Sequence, residues 1–264
     1  MKYKLVALDL DGTLLSDNKI LNASTQAAIK RAQDKGVIFT IATGRMYRGA
    51  VRYAAQLNIE IPIITYNGAV IKNPLSGEVH REFKVPSRLA MRAIDSLDGQ
   101  PVLKYVFTGD NVITDLVHEW TDNYSNVLDV EMKYVDDVRL ALDDDPIMVV
   151  FMVQAEMRKN ISDTLRNTFG SEARITNSSN WFVDVLNPSA SKSLALEQLA
   201  KSLGILRDEI IAVGDNLNDL EMIQYAGLGV AVANASDDLK QSADHVTKAE
   251  CYLGVEEVIE EFCI

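Results

Sequence analysis

Short apolar runs alternate with helical repeats near both ends of this chain, and a different rhythm fills the middle. Leu5-Val6-Ala7-Leu8 is wholly apolar and too short for a helix, which marks a strand buried on both faces. Asn22 suits the cap of a helix running to about Lys35, with Ala27, Ala28, Ile29 and Ala32 on its apolar face and Gly36 closing it. The run 37–42 predicts a second buried strand. Helical spacing then reaches Leu57, and 61–65 predicts a third strand. Strand, helix, strand, helix, strand at this spacing predicts a parallel α/β sheet. The rhythm resumes after Asn187. It predicts a helix from Ser191-Lys192 to Leu203, a strand over 210–213, a helix over 220–226 and a strand over 229–233. A helix around 237–242, a strand over 245–247 and a helix over 255–262 complete it.

The middle reads differently. Residues 70–85 alternate around Asn73-Pro74 and Ser76-Gly77, which predicts a hairpin. Helical spacing follows over 87–97, then strand character over 102–115 with a turn at Gly109-Asp110-Asn111. A helix is expected over 118–126, a strong strand over 147–153, a helix over 156–169 closed by Gly170, and strand again over 174–186 with a break at 177–180. About a hundred residues of mixed α+β pattern suffice for a small domain. The fold class expected is therefore α/β: a Rossmann-like parallel-sheet core from 1–83 and 187–264, interrupted by an α+β insertion over 84–186.

The length, 264 residues, is enough for such a division. The formal charge of −12, from 38 acidic against 26 basic residues, argues against nucleic acid or an anionic membrane as partner. An anionic small substrate remains open if local cations reverse the field in the site. The two cysteines, Cys251 and Cys263, show neither metal-ligand spacing nor a disulfide framework, so a reducing cytoplasm is expected. His80, His118 and His245 are scattered without metal spacing.

In parallel sheets ligands sit beyond the carboxyl ends of strands. Asp9, Asp11, Thr43, Arg45 and Asn67 all fall at such ends, as do Asp215 and Asp219. Asp9 and Asp11 leave a strand on the same side, and like charges so close need a compensating cation or shared proton. A hard divalent cation, Mg²⁺ above all, suits a cluster of Asp9, Asp11, Asp215 and Asp219. Thr43, Lys192 and Asn218, with the backbone N–H groups after Asp9 and at Gly44, suit the oxygens of a phosphoryl group. One aspartate of the first pair could attack phosphorus while the other handles the leaving-group proton.

These motifs resemble those of the haloacid dehalogenase-like hydrolases, and within them the Cof-type phosphatases with a large α/β cap. Asp9-x-Asp11-Gly12-Thr13 is similar to their first motif, Thr43-Gly44-Arg45 to the second, Lys192 to the third and Gly214-Asp215-x-x-Asn218-Asp219 to the fourth. Tyr66-Asn67-Gly68-Ala69 is similar to a Cof-type segment. The resemblance implies Asp9 as nucleophile, forming an aspartyl-phosphate, and Asp11 as general acid/base. It implies Mg²⁺ held by the side chains of Asp9 and Asp215, by the Asp11 carbonyl and by Asp219, directly or through water. Phosphate would be held by the Leu10 and Gly44 N–H groups, Thr43, Lys192 and Asn218. The expected activity is a Mg²⁺-dependent phosphatase of small phosphorylated metabolites, with sugar phosphates and cofactor phosphates the substrate classes. The cap over 84–186 would set specificity. The protein would be a monomer or a weak homo-oligomer. Ser193 stands where the family usually has glycine.

Each residue also has a plainer explanation. Asp9-Leu10-Asp11-Gly12 could be a solvated turn. Asp215 and Asp219 could serve a helix dipole. Lys192 could be a surface lysine. Arg45 and Asn67 are candidates to bind substrate or phosphate, Arg45 by contacting the substrate or the cap, but Arg45 could be only half of an ion pair and Asn67 a simple turn residue. Among function classes, a phosphomutase or phosphotransferase on the same site, and a non-catalytic sugar-phosphate-binding regulator, remain as alternatives.

Overall fold

The computed structural model describes residues 2–16, 18–118 and 132–264, and the chain divides into two compact units. The first contains Met1–Gly44, Ala50–His80 and Ser191–Ile264, and the second Arg45–Gly49 and Arg81–Ala190. The helix expected over 118–126, with Trp120, falls almost entirely outside the described residues.

The first unit is built on a parallel sheet. Its strands are β1 (Leu5–Leu8) and β2 (Ile38–Ile41), then, after β3 to β11, β12 (Ile210–Gly214), β13 (Leu228–Ala231) and β14 (His245–Val246), in the order β14-β13-β12-β1-β2. All four pairings are parallel. β1 lies at the sheet's interior, so all four of its residues are buried, as its unbroken apolar run requires. Beyond β2, β3 (Ile63–Thr65) joins through the single bridge Ala42↔Ile64 and turns back antiparallel as β4 (Val70–Lys72).

Helix α1 (Ala23–Asp34) starts where Asn22 accepts from the Ser24 N–H and ends at Gly36, whose φ of 90° is the left-handed closure expected. Helix α2 (Tyr47–Gln56) follows β2. After α3 and α4 of the second unit come α5 (Lys192–Ser202), α6 (Leu220–Tyr225), α7 (Asp237–Ser242) and α8 (Cys251–Phe262).

The second unit contains an antiparallel-rich sheet: β6 (Leu103–Thr108), β7 (Asn111–Thr114), β8 (Met132–Tyr134), β9 (Met148–Met152), β10 (Arg174–Thr176) and β11 (Phe182–Leu186), ordered β10-β11-β9-β6-β7-β8. Strand β5 (Val79–Glu82) precedes it. Helices α3 (Ser87–Ser96) and α4 (Ala155–Phe169) cover one face. Val106, Val149, Phe151, Val183 and Val185 meet Leu89, Ala93, Ile94, Ile161, Leu165 and Phe169 there. Alternate residues, Tyr105, Phe107, Val150 and Asp184, are buried on the opposite face.

Candidate active site

The chemistry of the first unit gathers at the carboxyl ends of β1, β2, β3 and β12, because a parallel sheet delivers every strand to the same edge. Asp9 follows β1 directly and is 5% exposed. Its Oδ1 accepts from Lys192 Nζ at 2.6 Å, and its Oδ2 takes no hydrogen bond among the described residues. The same Nζ reaches Asp219 Oδ1 at 2.6 Å.

Lys192 is the first residue of α5, where the helix dipole disfavours a cation, and it is 2% exposed. Local preference thus argues against lysine at this position. Burial pulls its pKa down, but the carboxylates of Asp219 and Asp9 outweigh burial and hold it above the ordinary lysine value. Ser191 sets the helix start: its Oγ accepts from the Leu194 N–H at 3.3 Å and donates to Glu221 at 2.8 Å.

Asp219 is completely buried. Its Oδ2 accepts from the N–H groups of Asp215 (3.1 Å) and Asn216 (3.2 Å), so both of its oxygens are engaged. It holds the turn after β12 in shape and fixes Lys192 at the same time. Asp215 accepts from Thr13 Oγ1 at 2.9 Å and has no cationic partner among the described residues.

The ligand oxygens of Asp9, Asp215 and Asp219 all lie within 4.8 Å of one another. Burial first, then Asp219, pushes the Asp215 pKa up to about 7. Burial also holds Asp9 well above the usual carboxylate range, against the pull of Lys192. Two buried carboxylates and the half-buried Asp215, once ionised, face one ammonium, which leaves negative charge in excess. That donor set fits a hard divalent cation such as Mg²⁺.

Glycine is needed where the loops meet. Gly12 has φ of 84°, and a Cβ there would lie 2.4 Å from Asp215 Oδ2. Gly12→Ala is expected to destabilise the fold by about 1–3 kcal/mol and to cut catalysis at least tenfold. Urea unfolding and a steady-state assay of the same preparation check this. Unchanged values in both would remove Gly12 from the architecture of the site.

Asp11 sits differently from Asp9. Its side chain is 36% exposed and pairs with Lys19 at 2.7 Å. The Leu10 and Gly44 N–H groups have no acceptor among the described residues. Thr43 is buried, its N–H donating to Ile64 O at 2.9 Å while its carbonyl accepts from Asn67 N at 3.0 Å. Asn67 lies within Tyr66–Gly68, three successive residues of positive φ (51°, 52° and 93°), an uncommon run for buried non-glycine side chains. Asn67 Oδ1 accepts from Asn218 Nδ2 at 3.0 Å.

Arg45 groups with the second unit, where it is buried and its Nη1 donates to Gly49 O at 3.4 Å. Two contributors carried no signal of their own in sequence. Thr13, the last residue of the Asp9 motif, positions Asp215. Asn234 bridges loops by donating to Gly12 O at 2.8 Å and accepting from Cys251 N at 2.7 Å.

A family profile described as haloacid dehalogenase-like hydrolase matches residues 6–259. This chain belongs to the haloacid dehalogenase-like hydrolases. In Bacillus subtilis (strain 168), the 5-amino-6-(5-phospho-D-ribitylamino)uracil phosphatase YcsE is 32% identical over 268 residues, 99% of this chain and 96% of the relative. A second phosphatase named for that compound in the same strain, YitU, is 30% identical over 279 residues, 99% and 98% of the two chains. A haloacid dehalogenase-like hydrolase from Bacteroides thetaiotaomicron has the same fold, with a TM-score of 0.85, 27% identity and coverage of 98% of this chain and 99% of that one. Membership of the family and full-length relatives named as phosphatases make the chain a phosphoric monoester hydrolase of the haloacid dehalogenase-like type.

Proposed function

We propose that this hydrolase is a Mg²⁺-dependent phosphatase of small phosphorylated metabolites, sugar phosphates or cofactor phosphates, acting through an aspartyl-phosphate on Asp9. The observation that carries this reading is Asp9 itself. It is a buried carboxylate at a parallel-strand end, with one oxygen fixed by Lys192 and the other without a hydrogen bond among the described residues. Such an arrangement presents a nucleophile already oriented.

Asp9 Oδ2 would attack phosphorus, forming the P–O bond to Asp9 as the bond to the leaving alkoxide breaks. Asp11, exposed enough to reach solvent, would give its proton to that oxygen. It would then take a proton from the water that attacks the phospho-aspartate and returns Asp9 to the carboxylate. Lys192 and the N–H groups of Leu10 and Gly44, with Thr43 and Asn218, would hold the phosphoryl oxygens. Asp9, Asp215 and the Asp11 carbonyl would hold Mg²⁺, which would supply positive charge against the phosphoryl oxygens. Asp219, with both oxygens engaged, would act chiefly by fixing Lys192 and the β12 turn.

The relatives named for 5-amino-6-(5-phospho-D-ribitylamino)uracil point to a phosphate on a polyol arm attached to a ring. Arg45 and the second unit would select the remainder of the substrate, and Asn67 would place Asn218. The direct test is phosphate release from a panel of sugar phosphates and ribityl phosphates, with Mg²⁺ and with EDTA, for wild type and Asp9→Asn. Release that needs both the metal and Asp9 is expected. An isomeric ester without free phosphate would instead identify a mutase. Ligand binding with no turnover would identify a regulator.

Metal binding also has a signed pH dependence. The folded-state pKa of Asp215, about 7, exceeds the unfolded value, so the metal-free protein keeps a proton that the unfolded chain loses. Its stability therefore falls as pH rises from about 4 to about 7. A cation that binds the deprotonated site relieves this. Mg²⁺ at about a hundred times its dissociation constant should add about 2.7 kcal/mol, roughly 5–10 °C in melting temperature, at pH 8. A clearly smaller shift is expected at pH 5.5. Thermal melts with Mg²⁺ and with EDTA at both pH values check this, and equal shifts would contradict it.

A further inference from the structure

The edge of the parallel sheet remote from β2 carries a second group of metal-ligating side chains. His245 stands on β14. Glu257 and Glu261 lie one helical turn apart on α8, so they share a face. One ring nitrogen and one oxygen from each carboxylate lie within 4.8 Å of one another. β14 is separated from β1 by β13 and β12, so this cluster is distinct from the Asp9 centre.

Three further observations distinguish it from an ordinary charged surface. The Nε2 of His245 is buried without a hydrogen-bond partner. Glu261 has no hydrogen bond or ion pair among the described residues, and Glu257 is held only by the N–H groups of Lys248 and Ala249. Two like charges one turn apart therefore face an imidazole with no lysine or arginine paired to them among the described residues, an arrangement that costs stability unless a cation joins it. The imidazole is held from one side by Phe262, whose ring stands edge-on at 5.3 Å.

We propose that His245, Glu257 and Glu261 form a second metal site that takes a transition-metal dication, Zn²⁺ or Co²⁺, and fastens α8 to the sheet edge. One imidazole and two carboxylates form a borderline donor set, which favours zinc and its neighbours over Mg²⁺. The ligand atoms stand too far apart for a direct bond between imidazole and carboxylate. Donors at about 2.0–2.2 Å from a shared Zn²⁺ lie about 3.4 Å apart, so modest side-chain movement closes the set. His245 and Glu257 are half-buried and Glu261 is exposed, which leaves an open side for water to complete the coordination.

The test is equilibrium dialysis of the intact protein against Zn²⁺ in millimolar Mg²⁺, with bound zinc counted per chain, and a parallel Co²⁺ titration followed by visible absorption. One tightly retained zinc per chain is expected. It should persist in Asp215→Asn, disappear in His245→Ala and weaken at least tenfold in Glu261→Gln. Glu261 is exposed, so Glu261→Gln keeps the fold and phosphatase activity and serves where His245→Ala does not fold. Zinc binding should also raise the melting temperature of wild type and not of Glu261→Gln. No retained zinc in wild type, zinc that survives both His245→Ala and Glu261→Gln, or loss of zinc in Asp215→Asn would each overturn the proposal.

Discussion

Asp9→Asn is expected to lower the rate of phosphate release by about four orders of magnitude or more, the scale seen when a nucleophile is removed. The amide occupies the volume of the carboxylate but cannot form the phospho-enzyme. The fold should not suffer. Burial and the neighbouring carboxylates already disfavour charge on Asp9, which is why its pKa stands well above the ordinary value. Replacing that charge with a neutral amide removes repulsion toward Asp219 and Asp215 while leaving Lys192 its bond to Asp219. The melting temperature of Asp9→Asn should therefore equal or exceed that of wild type above pH 7, where the carboxylates carry most charge. Circular dichroism melts alongside single-turnover assays separate the two effects. A variant that melts normally and still turns over at a tenth of the wild-type rate would remove Asp9 from the nucleophile's role.

Lys192→Met should be damaging in both respects. The ammonium is the shared partner of two buried carboxylates, at 2.6 Å from each. Removing it strands Asp9 and Asp219 without compensation, a loss of roughly 3–5 kcal/mol for a broken buried pair. The sign with pH is definite. Without Lys192 the Asp9 carboxyl moves further above its unfolded value, so the folded variant holds an extra proton and regains stability as pH falls. Urea unfolding should show the largest deficit near pH 8 and a smaller one near pH 5. A deficit independent of pH would show that packing, not charge, accounts for it. Catalysis should fall by about 10²–10³-fold as well, because a fixed positive group near the phosphoryl oxygens is lost.

Much of this arrangement was written locally. β1 could be read because a strand buried on both faces needs an unbroken apolar run, and Leu5 to Leu8 supply one. Asp9 stood out because a second carboxylate follows at i+2 where that strand must end. Gly36 and Gly170 marked helix ends because left-handed closure favours glycine. Strand β8 was not legible: three residues pairing parallel to β7 at the sheet's end leave no periodicity to count. α8 begins at Cys251, ahead of the expected 255, and so takes in Gly254. In the fold it is a close-approach residue, where a Cβ would lie 2.6 Å from Ala249 O.

By itself the sequence determined the elements, the strand ends where polar residues collect and the kinds of chemical group available. Those are properties of short segments, set by side-chain periodicity and turn preference. Only the tertiary structure decided who meets whom. Asp9 and Lys192 are 183 residues apart and become partners because the fold sets the start of α5 against the end of β1. Asp219 looked like a helix-terminal charge or a metal ligand, and in the fold both its oxygens are already engaged. His245 showed no spacing to any ligand, yet β14 and α8 bring it to Glu257 and Glu261. Burial then sets the strength of each interaction, since the same pair of charges that is nearly worthless in water becomes decisive when the chain closes around it.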